Sequence, residues 1–210
     1  QRMVYNYVDG NPSYSFQGGD AIYEDVNHDG QINALDVVYL GNCLPKLSGG
    51  FNISFDYGRW NFKARFMYRY GNKVINQARM TLESMSTAYN QASSVNWRWR
   101  KDGDETLMPR AIYVYNDNSA YNYQGSSRYV EDGSFLRFQN LQVGYNFDPK
   151  ELKKYGLNRL QFYVTANNLF CWTRYSGVDP EISIGGWGQA IDKSQTPRAK
   201  SFTANINIGF

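Results

Sequence analysis

The sequence predicts an all-β fold: the C-terminal strands of a large antiparallel transmembrane β-barrel with long extracellular loops. Three observations point there. Segments of about ten residues alternate apolar and polar side chains, as extended chain does when its two faces meet different surroundings. The connections between these segments alternate between short and long. The composition is strongly aromatic, with 18 Tyr, 12 Phe and 5 Trp, yet mean hydropathy is −0.61. That pairing excludes a helical membrane protein, since no apolar run approaches the ~20 residues a spanning helix needs. It is compatible with membrane strands, whose alternation hides the apolar face from an average.

The last segment, SFTANINIGF, sets Phe202, Ala204, Ile206, Ile208 and Phe210 on one side and Thr203, Asn205, Asn207 and Gly209 on the other. An apolar face opposite an uncharged polar face suits a strand between lipid and a wet lumen. GGFNISFDYG lines up Phe51, Ile53, Phe55 and Tyr57 against Asn52, Ser54 and Asp56. After a short turn, NFKARFMYRYG sets Phe62, Ala64, Phe66, Tyr68 and Tyr70 against Lys63, Arg65 and Arg69, with Met67 among the latter. The polar stretch 72–128 follows, rich in Asn, Ser, Tyr and Trp, its opening residues able to hold a helix. So long a stretch without period is unusual inside a compact soluble domain.

FLRFQNLQVGYNF resumes the alternation through Leu141, Val143, Tyr145 and Phe147, and DPKELKKYGLN reads as a short charged helix closed by Gly156. RLQFYVTANNLFCW sets Leu160, Phe162, Val164, Ala166, Phe170 and Trp172 against Gln161, Tyr163, Thr165 and Asn167. The connections after Tyr57 and Phe147 are compact, and those after Gly71 and Tyr175 are long. Outer-membrane barrels have this asymmetry of short periplasmic turns and long outer loops. Trp60 and Tyr145 lie near the short turns, and Tyr70, Trp172 and Tyr175 near the long loops, the positions of interfacial aromatic belts. A soluble antiparallel sheet with one buried face has the same period, and periodicity alone weighs the two evenly. Five strands do not close a membrane barrel, which needs about eight, so the membrane reading makes residues 1–210 part of one larger barrel.

The sharpest local motif is DVNHDGQINALD, residues 25–36, which follows the calcium-loop pattern D-x-[DN]-x-[DN]-G. Asp25, Asn27 and Asp29 supply side-chain oxygens, Gly30 permits the sharp turn and Gln31 offers its carbonyl. Asn33 ligates directly or through water, and Asp36 closes the loop where Glu is usual. Hard oxygen donors favour calcium in a structural role, stiffening an extracellular loop. A metal-free Asx-rich turn is the alternative.

The net charge of +3 is too small to imply nucleic acid. Cys43 and Cys171 form no metal motif and read as two incidental thiols, with a disulfide as the alternative. One His, no nucleophile elbow and no zinc signature argue against most hydrolases, so no enzyme is expected; a carboxylate pair for glycoside cleavage is the alternative. Gln1 opens in a polar, Tyr-rich stretch without a signal peptide, so the native N-terminus is expected upstream.

Taken in order, GDAIYEDVNHDGQINALD, GNCLPKLSGGFNISFDYGRWNF, RYVEDGSFLRFQNLQVGYNF, LQFYVTANNLFCWTRYSGVDPE and SFTANINIGF resemble the C-terminal part of SusC/RagA-type TonB-dependent outer-membrane transporters. The resemblance covers the chain from about Gly19 to Phe210, apart from 72–128. It implies a barrel of about 22 strands around a plug, in the outer membrane of a Gram-negative bacterium. It further implies a SusD-like surface lipoprotein as lid, and import of oligosaccharides or peptides driven through TonB, which contacts parts of the protein outside this sequence. Phe210 resembles the signal read by the barrel-assembly machinery. In such a barrel Lys63, Arg65, Arg69, Gln161, Tyr163, Thr165, Asn167, Asn205 and Asn207 face the lumen, where they hydrate the pore or contact solute. Trp97, Trp99 and Trp187 fall in outer loops, to stack on sugar, or to pack the loops together or against a lipoprotein partner. The competing function is a secreted, calcium-stabilised β-domain that binds carbohydrate.

Overall fold

The computed structural model describes residues 4–5, 14–86, 88–112, 122–183 and 190–210. The chain divides into two compact units: Gln1–Gly41 with Ile75–Val130, and Asn42–Val74 with Glu131–Phe210.

The second unit is built on one five-stranded antiparallel sheet: β1 (Leu47–Tyr57), β2 (Trp60–Tyr70), β3 (Phe135–Asn146), β4 (Arg159–Thr173) and β5 (Ser201–Gly209). Their order in the sheet is their order in the chain, a meander with β1 and β5 at its edges. The expected strand cores and the helix before β4 are present. That helix, α2 (Pro149–Leu152), starts on the Asp148 side chain and runs into a 3-10 turn closed by Gly156 at φ 71°.

The register joins the alternating faces into two continuous surfaces. Phe51 lies opposite Phe66, Ile53 opposite Ala64 and Phe55 opposite Phe62. Phe62, Ala64 and Phe66 meet Val143, Leu141 and Phe138, and these meet Val164, Ala166 and Phe170. Val164, Phe162 and Leu160 then meet Ala204, Ile206 and Ile208. Phe51, Phe66 and Phe138 stack in series across three strands, with centroids 4.8 and 4.7 Å apart. This surface is not a core. Phe51 is 45% exposed, Phe202 71% and Ile206 62%, and no second layer covers the row among the described residues. A soluble one-layer sheet would leave a large apolar area in water, which monomeric proteins avoid; lipid removes that cost.

One irregularity decides what the polar face contains. Phe138 pairs with Phe66 and Phe170 while Asn140 pairs with Arg65 and Asn167, so Gln139 is an extra residue in β3. Opposite it, β4 accommodates the break with Asn168 at φ 53°. A bulge shifts the phase of alternation by one. Leu136 and Phe138 therefore join the apolar face together with Leu141 and Val143, and Phe135 and Arg137 turn to the polar face.

Tyr175 departs from the expected interfacial belt. It is buried in a small core with Val74, Ile182 and Ala190, against which Cys43 packs. Its hydroxyl donates to Asp192 at 2.6 Å, a partner that an aromatic at a lipid boundary would not need. Tyr70 and Trp172 stay exposed at that end of the sheet, and Trp60 lies edge-on to Tyr145 at the other. Cys43 and Cys171 are not bonded to each other.

The first unit holds a second small core of Met85, Val95 and Met108. Helix α1 (Gln77–Leu82), capped by Asn76, opens the long polar stretch as expected. Beside it Glu83 is buried and salt-bridged by Arg79 and Arg128. Arg110 and Asn122 close on the buried Asp20 carboxylate in the same way. No helix among the described residues is long and apolar enough to cross a membrane, which says nothing of strands.

Candidate functional site

The nine polar-face candidates come together through register alone. Arg65 lies between Asn52 and Asn140, and that row continues to Asn167 and Ser201. Lys63 lies between Ser54 and Gln142, a row ending at Thr165 and Thr203. Tyr163 pairs with Asn205, and Gln161 with Asn207. Amide side chains link neighbouring strands: Asn140 donates to Asn167 at 2.8 Å, Asn167 to Ser201 at 3.0 Å, and Gln161 to Asn146 at 2.6 Å. These bonds run across the strands, and the amide side chains that make them are half-buried.

Arg69 is at the end of this face nearest the long connections, opposite Ser48 and Phe135. Sequence reasoning missed what surrounds it. Arg137, turned inward by the bulge, donates to Asp179 at 2.5 Å and lies 3.3 Å from a Glu181 oxygen. Glu181 in turn accepts from Arg198 at 2.6 Å. Arg69 donates to the Ile182 carbonyl at 3.2 Å, and the Phe135 ring lies within cation–π reach of both Arg69 and Arg137. The stretch 179–182 is thereby fastened over the polar face by one arginine from β2 and one from β3. The only hint in the sequence is an arginine flanked by Leu136 and Phe138, with no alternation to say which way it points.

The loop at 25–36 folds as a nest of side-chain turns. Asp25 accepts from the Asp29 and Gly30 amides, and Asp29 from Gln31. Gly30 has φ 81°, as the sharp turn requires. Asp36 reaches back to the Val26 amide at 2.9 Å and the Asn33 amide at 2.7 Å, closing the loop from its last position. Hydrogen bonds from the Asn33 amide first, then Val26 and Asn27, hold its carboxyl below the ordinary range despite an opposing contribution from desolvation. Ile32 is buried, and Gln31–Ile32 pairs in parallel with Val4–Tyr5. The donors are all hard oxygens and suit a cation such as calcium. Among the described residues no three His, Cys, Asp or Glu side chains converge on one metal position, so this conformation draws its carboxylates onto backbone amides instead.

Trp99 packs against Gly19, where a Cβ would come within 2.3 Å of its ring, whereas Trp97 is 79% exposed. Trp187 lies outside the described residues. Phe210 is exposed beyond β5.

A single antiparallel layer with a continuous apolar face and an opposite face that is mainly polar is the wall of a transmembrane β-barrel. Comparison with known proteins agrees. TonB-dependent receptor P39 of Formosa agariphila is 33% identical over 202 residues, covering 92% of this chain and 19% of the receptor. TonB-dependent receptor SusC of Bacteroides thetaiotaomicron is 31% identical over 86 residues, 40% of this chain and 8% of SusC. The solved RagAB peptide transporter superposes with a TM-score of 0.68 at 26% identity, covering 81% of this chain and 18% of that one. No family model matches. The chain is homologous to part of the SusC/RagA-type TonB-dependent receptors, and it spans about a fifth of the length of the curated receptor P39.

Proposed function

We propose that the protein containing this chain imports oligosaccharide or peptide across the outer membrane of a Gram-negative bacterium, with a SusD-like surface lipoprotein as lid and TonB as the source of energy. The observation that carries the reading is the two-faced single sheet: apolar rows continuous in register from Phe51 to Ile208, backed by the polar rows through Lys63, Arg65, Gln161, Tyr163, Thr165, Asn167, Asn205 and Asn207. Those polar residues line the lumen in this reading, with Arg69 beneath the fastened 179–182 segment. The kinship with SusC and with a peptide transporter supports import over catalysis, and over a secreted carbohydrate-binding domain. Asp25, Asn27, Asp29, Gln31, Asn33 and Asp36 hold a structural calcium, for which the motif and the oxygen donor set are the support. Phe210 is the recognition signal for the barrel-assembly machinery.

Deleting the gene for the full-length protein should abolish growth on at least one glycan or peptide mixture supplied as sole nutrient, and a plasmid copy should restore it. Unimpaired growth of the deletion strain on every glycan and peptide mixture overturns the reading.

A further inference from the structure

The polar face of the sheet is uneven in charge. Arg137 is neutralised by Asp179 and Glu181. Lys63 and Arg65, on the adjacent strand β2 and the same face, have no ion pair or hydrogen bond among the described residues. Among the described residues Arg69 donates to a neutral carbonyl and forms no ion pair. The side chains facing Lys63 and Arg65 from β1 and β3 are Ser54, Asn52, Gln142 and Asn140, none of which can carry a compensating negative charge. Asp56, the one carboxylate on this face of β1 and β2, lies opposite Asn61 at the hairpin end.

The spacing is regular. Lys63 and Arg65 are two residues apart on one strand face, about 7 Å along the sheet. Like charges so placed repel and stabilise nothing by themselves. Beside Arg65 is open space. Ser48, Gly50, Arg65, Met67, Arg69 and Gln139 line a hollow of 340 Å³. Its floor is kept low at Gly50, where a Cβ would stand 2.8 Å from the Phe66 carbonyl oxygen. The hollow therefore has two guanidinium groups at its edge, amide donors beside it and no carboxylate in its lining. A guanidinium fork matches an oxyanion with two parallel hydrogen bonds, and an ammonium adds a point charge beside it.

We propose that Lys63, Arg65 and Arg69 form a binding site for oxyanion-bearing solute, the groups being carboxylates or sulfate esters carried on a short oligomer. This rests on the importer reading above and narrows its substrate to an anionic class. The cations draw such a solute to the wall and hold one anionic group in the hollow, while the amide rows toward β5 offer weaker, uncharged contacts onward. Arg137 is not part of the site, because its charge is already spent on Asp179 and Glu181.

The test uses the full-length transporter purified in detergent and titrated calorimetrically with trigalacturonate, a sulfated galactose trisaccharide and neutral cellotriose. Wild type should bind at least one of the two anionic sugars and not the neutral one, and which of them binds identifies the oxyanion. Lys63→Gln with Arg65→Gln should weaken that binding about tenfold, while Lys150→Gln with Lys154→Gln, the same charge change on the exposed helical turn before β4, leaves it unchanged. Binding of neither anion, equal binding of the neutral sugar, or equal loss in both double variants overturns the site. Heat-modifiable migration of each preparation on a gel reports separately whether the barrel is assembled. An assembled barrel that binds no anion sinks the site and leaves the importer reading standing, whereas a protein that needs no detergent sinks the importer reading itself.

Discussion

Arg137 on β3 and Asp179, 42 residues further along the chain, form a hydrogen-bonded ion pair at 2.5 Å whose arginine side chain is only 5% exposed. A cation so far removed from water is stable only where its charge is met, and Asp179 and Glu181 meet it together. Replacing Arg137 by Gln removes the ion-pair partner of Asp179 under cover and leaves Glu181 with Arg198. The expected cost is about 3 kcal/mol, the lower end for breaking a buried pair by removing one partner. Hydrogen exchange on the full-length protein should show faster exchange across 174–182 in the variant and unchanged protection in β4. Equal protection of 174–182 in the two forms would show that other contacts fasten this segment.

Tyr175 and Asp192 make a neutral-to-charged hydrogen bond inside the small core beside Val74 and Ile182. Burial foremost, and then the hydrogen bond and negative charge of Asp192, push the Tyr175 phenol well above its ordinary range. A folded value above the unfolded one means that the neutral phenol contributes fully below about pH 10 and that this contribution is lost as pH rises towards the folded value. Tyr175→Phe should cost about 1–2 kcal/mol at neutral pH, since Asp192 keeps its backbone donor Ser194 but loses its hydroxyl partner. The variant should also lose the wild-type decline in local stability above pH 10, read by hydrogen exchange around 190–194.

Val164 and Thr165 are neighbours on β4 with opposite surroundings. Val164 lies between Val143 and Ala204 on the apolar face, and Thr165 between Gln142 and Thr203 on the polar one. Val164→Arg should destabilise the assembled barrel by about 2–4 kcal/mol, as lipid-facing arginine does near the bilayer midplane. Thr165→Arg should assemble normally. Urea titrations of the full-length protein in lipid vesicles would read both, and equal tolerance would remove the assignment of the faces.

Calcium in the 25–36 loop predicts about one ion per chain in the wild type and none after Asp25→Ala with Asp29→Ala, measured by elemental analysis of dialysed full-length protein. Equal metal in the two forms retires the site.

Asp36 gives the same loop a pH dependence. Its folded value is depressed, chiefly by the Asn33 amide, so its contribution is present above the ordinary Asp value of about 3.9 and is lost as pH falls through the folded value. In the metal-free protein, amide exchange at Val26 and Asn33 should accelerate only at the acid end, and Asp36→Asn should abolish that acceleration.

Most of the sheet was legible because strand sidedness is a local property. Successive Cβ atoms point to opposite faces whatever the strand packs against, so the rows through Phe51, Phe62, Val164 and Ile206 could be read without coordinates. The Asx turns at Asp25, Asp29 and Asp36 were legible for the same reason, each joining groups at most ten residues apart. Gln139 was not. A bulge inserts one residue without a mark in composition, and the alternation past it reads equally well in either phase, so Arg137 had no assigned side. Tyr175 was misplaced because an aromatic beside a long loop suits both a lipid boundary and a buried hydroxyl; the choice depended on Asp192, which comes close only once the chain returns.

The sequence by itself determined that the chain is a set of two-faced strands, since the period of two follows from backbone sterics at each residue. Tertiary structure decided which rows meet, where the alternation slips and which charges are neutralised. Those depend on residues tens of positions apart: Arg137 finds Asp179 only after the connection from β4 folds back, whereas Lys63 and Arg65, together on β2, find only neutral amides and hydroxyls opposite them on β1 and β3.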